Sequence, residues 1–466
     1  MSGFDSNFLW GSATSAYQIE GAANVDGKGD SIWDTFCREK GNIRDNSSGN
    51  IACNHYEFWK NDVELMSKIG LQSYRFSISW PRILPNGYGS VNQKGIDFYD
   101  NLIDNLLEKN IDPFITLFHW DLPEYLQKEG AWLNPEISKW FSEYAAILSE
   151  NYSDRVKNWF TINEPQVVIC LGYSKGSKAP GLTLSLKEVL LSNHNALLSH
   201  GRSVEALRQN AKSDINVGPV PCGQIAYPAN NDERNIDAAY EATFDINKTD
   251  EDNHDLYKWK CLVDSTWNFS LYTDPIFLGK YPDQAFELFG NDMPDITEQD
   301  MNIISQPVDF CGLNLYSGYP VQADKNRQWI CPDRPTGNNL TAFKWSVTPE
   351  ILYWGPRFFY ERYKKPIFIT ENGMSGHDWV NDQGEVSDPQ RIQFLKSYLK
   401  EYKKAASEGI PVKGYFLWSF MDNFEWEQGY EERFGIVHVD FESQERRLKD
   451  SAKWYAECIA SNGAAL

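Results

Sequence analysis

Two glutamates stand directly after apolar, β-rich runs: Glu164 in Asn163-Glu164-Pro165 and Glu371 in Glu371-Asn372-Gly373. Other runs of this kind end in similar groups. His119-Trp120 follows 114–118, Asn314 and Tyr316 flank the end of 310–315, and Trp418 closes 412–418. A pair of facing carboxylates in a polar, aromatic-lined pocket has a definite use. One carboxyl, kept protonated, donates to a leaving oxygen while the other, ionised, attacks carbon or activates water, which is what cleavage of a glycosidic bond requires. A lone glutamate at a strand end is ordinarily a solvated loop residue. Two of them, each following a buried-type strand and each among polar and aromatic strand ends, are not explained by solvation alone.

The elements that must position these groups alternate along the chain. β-type runs fall at 8–11, 73–77, 114–118, 156–162, 215–220, 310–315, 367–370 and 412–418, and several are nearly continuous apolar stretches, as strands buried on both faces should be. Helical patterns lie between them. Tyr56, Trp59, Val63 and Met66 share one face and the pattern stops at Gly70, a suitable residue just past a helix end. Tyr99, Leu102 and Leu106, then Ile137, Trp140, Tyr144 and Leu148, and later Ile392, Leu395, Leu399 and Tyr402 repeat the period. Eight strands alternating with helices predict a single (β/α)8 TIM barrel over residues 1–466, with enlarged βα loops forming the cleft. A doubly wound open sheet is the alternative, but the first strand is followed by no glycine-rich phosphate loop. The stretch 221–297 is the hardest to divide into elements.

In a barrel of this kind the C-terminal strand ends meet at one face and build the active site there, so the two glutamates, the amides, the histidine and the rings should converge. Composition agrees. The chain has 466 residues, 44 basic against 65 acidic side chains and a formal net charge of −21, which argues against nucleic acid and anionic membrane as partners. With 41% hydrophobic and 14% aromatic residues it is not disordered, and 17 tryptophans are more than packing alone accounts for. No window resembles a transmembrane helix, and the first ten residues lack the basic head and apolar run of a secretory signal, so a cytoplasmic location is expected. Cys37, Cys53, Cys170, Cys222, Cys261, Cys311, Cys331 and Cys458 are widely spaced without a C-x-x-C pair and read mostly as buried thiols. The acidic loop 24–30 lacks the twelve-residue calcium pattern and reads as a turn. With no H-E-x-x-H and no Cys/His cluster, neither metal nor cofactor is expected.

At these residues the chain resembles the family 1 glycoside hydrolases, the β-glucosidase group. The resemblance starts at 8–21 (FLWGSATSAYQIEG) and 26–29 (DGKG) with 31–34 (SIWD), and runs through 74–83 (YRFSISWPRI) and 117–123 (LFHWDLP). It includes Thr161-Ile162-Asn163-Glu164-Pro165 and Ile369-Thr370-Glu371-Asn372-Gly373, and it closes with Trp418-Ser419, 422–426 (DNFEW) and Gly429-Tyr430. The resemblance implies retaining hydrolysis of β-glycosides, with Glu164 as general acid/base and Glu371 as the nucleophile that forms a covalent glycosyl-enzyme. The two carboxyl groups then lie about 5–5.5 Å apart. Glu164 should be held protonated by burial and by its charged neighbour, while Glu371 stays ionised with help from Arg75 and the Tyr316 hydroxyl. Gln18, His119, Trp120, Asn163 and Glu425 would line the sugar subsite, with Asn163 at the 2-OH. Trp418 and Trp426 would supply a stacking floor and wall, Trp345 a platform under the leaving group, and Asn314 with Tyr316 would hold Glu371. Trp10, Trp33, Trp59, Trp80 and Trp159 are left to core packing.

Members of the family that take 6-phosphorylated sugars carry a Ser and a Lys in place of the Glu425 region. A carboxylate there disfavours a phosphate, because two like charges in a desolvated pocket repel. Glu164 likewise separates the chain from thioglucosidases that have Gln at that position. Leu315 departs from the family, where an aromatic or His is commoner, and leaves the neighbouring wall open. The expected activity is that of a β-glucosidase acting on cellobiose, short β-glucans and aryl glucosides, with side activity on β-galactosides and β-fucosides. The alternatives are a transglycosylating β-glycosidase and a non-catalytic sugar-binding relative, the latter disfavoured by the presence of both glutamates. The expected partner is a small β-glucoside or oligosaccharide, and the sequence fixes no oligomeric state.

Overall fold

Eight parallel strands form the centre of the computed structural model, which describes residues 4–246 and 266–466. They are β1 (Leu9–Ala13), β2 (Ser73–Ser77), β3 (Asp112–Phe118), β4 (Asn158–Asn163), β5 (Asn216–Val220), β6 (Cys311–Asn314), β7 (Ile367–Asn372) and β8 (Val412–Trp418). Each pairs with its sequence neighbours from β1 to β5 and from β6 to β8, and β1 pairs with β8. The last seam is joined by the Cys222–Asn314 bridge and by the Asn314 N–H donating to Pro221 O at 3.2 Å. Sequence neighbours that pair in parallel need crossover helices on the outside, and the result is a (β/α)8 barrel.

The main outer helices are α1 (His55–Ile69), α2 (Gln93–Glu108), α3 (Ile137–Tyr152), α4 (Leu186–Gln209), α5 (Glu298–Ile304), α6 (Ile351–Tyr363), α7 (Pro389–Ser407) and α8 (Asp450–Ala460). Local sequence sets their ends. Gly70 closes α1 in the left-handed conformation (φ 82°) that costs a glycine nothing. Ser185 with Glu188 and Thr297 with Asp300 form capping boxes that start α4 and α5. Much of each predicted face is buried, Val63 and Met66 on α1, Tyr99, Leu102 and Leu106 on α2, Ile137, Tyr144 and Leu148 on α3, and Leu395, Leu399 and Tyr402 on α7, while Tyr56, Trp59, Trp140 and Ile392 at the edges of these faces are half-buried.

Strand side chains divide between two cores. Ile115, Leu117, Trp159, Val217, Ile369 and Leu417 point outward into the layer between barrel and helices, where Trp10 and Trp80 also lie buried. Phe114, Phe160, Phe310, Phe368 and Phe416 point inward and fill the barrel, with ring centroids 4.9 Å apart for Phe114–Phe416 and 5.2 Å for Phe160–Phe310. This aromatic plug closes the interior beneath the C-terminal strand ends. Each side chain of this size buried in place of water contributes about 1.5–3 kcal/mol.

Smaller elements elaborate the loops. Ile225–Pro228, Gly318–Ala323 and Trp329–Ile330 form a three-stranded sheet, and Val437–Val439 pairs with Arg446–Leu448. The stretch 221–297, the hardest to divide from sequence because loops and extra helices blur the count, contains helices Glu233–Phe244, Ser270–Leu278 and Asp283–Phe289 among its described residues. Cys53, Cys170, Cys222, Cys311 and Cys458 are buried, Cys37 and Cys331 half-buried, and Cys261 lies outside the described residues. In the 24–30 loop, the Asp26 carboxylate accepts from Tyr56 and Lys94.

Candidate active site

Directly above the phenylalanine plug sits Arg75, at the middle of β2, its guanidinium carbon 5.2 Å from the Phe160 ring. It is buried, and its donors are divided among neighbours. Nη1 donates to Glu371 Oε1 at 2.6 Å and to Thr370 O at 3.1 Å, Nη2 to Asn163 Oδ1 at 2.6 Å, and Nε to Thr116 Oγ1 at 3.1 Å. One cation therefore fixes side chains from β3, β4 and β7 at once.

Glu164 and Glu371 line the same cleft, a cavity of about 300 Å³, and are 7% and 3% exposed. Strict strand alternation would not bring both strand ends inward. In β7, Phe368 faces in and Ile369 out, and the pairing registers with β6 and β8 shift between Ile369 and the Glu371-Asn372 end. In β4, Phe160 faces in while Thr161 Oγ1 meets His200 on α4, and the register with β5 shifts before Asn163. Such irregularities re-aim a side chain at a barrel rim. Glu164 itself takes a left-handed backbone conformation, φ 47°, which carries its carboxyl back over the barrel mouth. Gly373 is required after Glu371-Asn372 because a Cβ there would meet Trp418 O at 1.8 Å.

The two carboxyls have unequal surroundings. Glu371 accepts from Arg75 at 2.6 Å and from the Tyr316 hydroxyl at 2.6 Å, whereas Glu164 accepts from the Asn314 amide at 2.7 Å. Burial pushes Glu164 up to about 8, the charge of Glu371 adds to this, and Asn314, Arg75 and Lys178 oppose it. Burial also raises Glu371, but the Arg75 charge and the Tyr316 and Arg75 hydrogen bonds act against it. A single proton shared by the pair therefore resides on Glu164. Tyr316 is held protonated by burial and by the Glu371 charge, so it remains a donor.

The other predicted site residues gather at the same end of the barrel. Trp418 stacks on His119 with centroids 5.8 Å apart, and Trp426 lies 4.5 Å from Trp120, backed by Trp33 at 4.5 Å. Trp120 donates to Asn163 O at 2.9 Å. His119 lines the cleft, its Nε2 is 3.1 Å from Asn163 Nδ2, and its buried Nδ1 has no partner among the described residues. Burial and the Arg75 charge hold that ring neutral. Trp345 packs on Tyr316 and Phe343 at 5.2 and 4.7 Å along one wall. Leu315 points outward into the helix layer, so it forms none of this wall.

Three predicted contacts are arranged differently from the simplest expectation. Gln18 is fully buried behind the cleft: its amide nitrogen donates to Asn423 Oδ1 at 3.0 Å and Phe424 O at 2.9 Å and reaches Glu425 Oε2 at 3.4 Å. Asn163 faces Arg75, Asn314 and His119. Asn314 donates to Glu164 at 2.7 Å, and it helps keep Glu371 ionised less than Arg75 and Tyr316 do. Sequence reasoning missed Lys178, Cys222, Phe343, Glu427 and Phe434, all of which line the cleft. Lys178 pairs with Glu427 and lies 5.6 Å from the Trp120 ring. None of these residues ends a barrel strand, so no apolar run points to them.

The family model for glycosyl hydrolase family 1 matches residues 1–464. The chain belongs to glycosyl hydrolase family 1. It is similar to the 1,4-beta-D-glucan glucohydrolase of Thermotoga neapolitana, 44% identical over 99% of each chain, and to Beta-glucosidase A of Thermotoga maritima, 43% identical over 99% of this chain and 98% of the relative. Among solved structures, the Thermotoga maritima β-glucosidase in complex with glucoimidazole superimposes with a TM-score of 0.88 and 42% identity, covering 99% of this chain and all of that one. As a member of this family the protein is a glycoside hydrolase, and its cleft is placed where a barrel enzyme carries its active site. No helix among the described residues is long and apolar enough to cross a membrane.

Proposed function

We propose that this glycosyl hydrolase family 1 member is a retaining β-glucosidase. It removes terminal β-D-glucosyl units from cellobiose, short β-glucans and aryl β-glucosides, with side activity on β-galactosides and β-fucosides. The observation that carries the reading is the asymmetry of two carboxyls in one cleft, an ionised Glu371 held by Arg75 and Tyr316 beside a protonated Glu164. In the first step Glu371 attacks the anomeric carbon, the bond to the leaving oxygen breaks, and Glu164 gives that oxygen its proton. The Glu371 charge is consumed in the adduct, which lowers the proton affinity of Glu164. In the second step Glu164 takes a proton from water, which attacks the same carbon and frees Glu371, so configuration is retained.

His119, Trp120, Asn163, Glu425 and Trp426 hold the sugar in this reading, with Gln18 bracing Glu425 from behind. Trp418 is the floor, and Trp345 lies under the leaving group. Glu425 is raised to about 8 by burial, so near neutral pH its carboxyl both donates and accepts hydrogen bonds to hydroxyls. Residues 1–466 act as one catalytic unit, supported by the Phe4 N–H donating to Asn462 O at 3.0 Å, which brings the two chain ends together. A reducing, cytoplasmic setting fits the buried thiols. The test is kcat/KM on a panel of nitrophenyl glycosides, with product anomers followed by NMR. Glucoside should lead the panel and give the β-anomer first. A galactoside preferred by more than about tenfold, over 1.4 kcal/mol of transition-state discrimination, overturns the glucose-first reading, and inversion overturns the mechanism.

A further inference from the structure

The cleft has two unlike halves. Around Glu425 it is lined by His119, Trp120 and Trp426, the groups that hold the sugar in the reading above. The other half flanks Glu164. The helix Val167–Ser174 begins just after that residue, with the Val167 N–H donating to Glu164 O at 2.9 Å, and it brings Val167 and Leu171 to the cleft. Trp345 stands there beside Tyr316, their centroids 5.2 Å apart, and Phe343 and Trp267 extend the apolar lining. An acid that protonates the leaving oxygen must have the leaving group next to it, so the leaving group sits in this half.

Among the described residues this half also carries the polar Gln224 and Ser317. The Glu164 N–H donates to Val220 O at 2.8 Å and Cys222 bridges to Asn314, so the chain that follows β5 runs beside Glu164. Ile225 then pairs with Gly318, which sets Gln224 beside Ser317, and the Gln224 amide nitrogen donates to Ser317 Oγ at 3.3 Å. Ser317 directly follows Tyr316, whose hydroxyl bonds to Glu371.

We propose that this half is an apolar slot that favours an aryl or alkyl leaving group over a second glucose, and that Gln224 with Ser317 supplies the polar contact for a leaving sugar. This rests on the β-glucosidase reading above and ranks the substrates named there. A glucose that enters as leaving group takes several hydroxyls out of water, and each one left without a partner costs free energy. One amide and one hydroxyl, bonded to each other, serve few of them. A benzene ring needs no partner and gains by covering Val167, Leu171 and Trp345.

The experiment measures kcat/KM of wild type, Gln224→Leu and Ser317→Ala on benzyl β-glucoside and cellobiose. Benzyl alcohol is no better a leaving group than a sugar hydroxyl, so the comparison reads how the leaving group is held. Wild type should prefer benzyl β-glucoside by about tenfold or more, the worth of one buried ring. In Gln224→Leu the benzyl-to-cellobiose ratio should rise further by about threefold to tenfold, the worth of one hydrogen bond, and in Ser317→Ala by about threefold. A thermal melt checks that the variants fold, and Ser317→Ala, the smaller change, carries the test where Gln224→Leu does not fold. A wild-type preference below about threefold, or one for cellobiose, overturns the apolar slot. A ratio that stays level or falls in the folded variants overturns the polar contact. A wild type inactive on every β-glucoside overturns the β-glucosidase reading and this inference with it.

Discussion

The proton affinity of Glu164 should depend on the charge of Glu371, and Glu371→Gln isolates that dependence. Arg75 Nη1 donates to Oε1 and the Tyr316 hydroxyl to Oε2, each at 2.6 Å; glutamine keeps an oxygen for Arg75 and turns its NH2 to the Tyr316 hydroxyl, whose oxygen can accept, so the side-chain shape is kept while the charge is removed. In the wild type, burial and then the Glu371 charge hold Glu164 up to about 8. Two unit charges about 5 Å apart, the separation a retaining pair needs, interact by about 3 kcal/mol at an effective dielectric constant of about 20. That is roughly a hundredfold in proton affinity and moves the titration midpoint about two pH units towards acid. Arg75, freed from pairing with a carboxylate, pulls in the same direction. The assay is a carbon-13 NMR titration of protein labelled at the glutamate carboxyl carbon, with Glu164→Gln identifying the signal. A midpoint that rises, or falls by less than about half a pH unit, refutes the claim that the two groups share one field. The size of the fall matters for turnover, because in the proposed mechanism the covalent intermediate neutralises Glu371 in the same way and needs Glu164 as a base.

Two further perturbations probe the neighbours of the pair. Arg75→Met should cost about 3–5 kcal/mol in a denaturant titration, since it strands Glu371 and Asn163 in a buried site. It should also move the acid limb of kcat/KM to higher pH, because Arg75 favours ionised Glu371; an unmoved limb would rule out that role. In the wild type, activity should fall as pH rises through about 8, where Glu164 loses the proton it must donate. Lys178→Met removes a charge that favours ionised Glu164 and should shift that limb upward by about half a pH unit, the scale of a partly exposed charge, whereas a downward shift contradicts the assignment.

Much of the barrel was legible because burial on both faces leaves strands as apolar runs. The runs predicted at 73–77 and 412–418 coincide with β2 and β8, and the Gly70 stop coincides with the end of α1. The convergence of Glu164, Glu371, His119 and Trp418 was legible for a related reason: parallel strands must present their C-terminal ends together. What the pattern could not supply is side-chain direction at those ends. Alternation by two predicts that Glu371 points away from Phe368, and only the register shifts against β6 and β8 reverse it. Nor could residue type separate a sugar ligand from its brace. Gln18 has the chemistry to bind hydroxyls, yet Ser15, Asn423 and the Phe424 carbonyl already take up both ends of its amide. Lys178 and Phe434 come from loops whose course depends on tertiary contacts, so they carried no local mark.

Those loops are themselves held by charge. Lys449, fully buried, donates to Asp422 at 2.7 Å and pairs with Asp378, which also takes Arg391 at 2.6 Å; Arg433 reaches Asp422 at 2.7 Å, and Arg391 pairs with Asp388. Three carboxylates thus face three cations, so the cluster is neutral, which is the condition under which buried charge is tolerable. Asp378 lies in the loop leaving Glu371, and Asp422 lies in the loop that goes on to Asn423, Glu425 and Trp426. A hydrophobic contact in this place would resist separation of the two loops but would let them slide. Directional ion pairs fix their relative position as well, and in the proposed mechanism that position decides whether a sugar held at Glu425 brings its anomeric carbon to Glu371. The aromatic plug and Arg75 set the height of Glu371 above the barrel, and this clasp sets its distance from the wall that carries Glu425 and Trp426, so in the proposed mechanism geometry at the reacting carbon depends on residues that never touch the substrate.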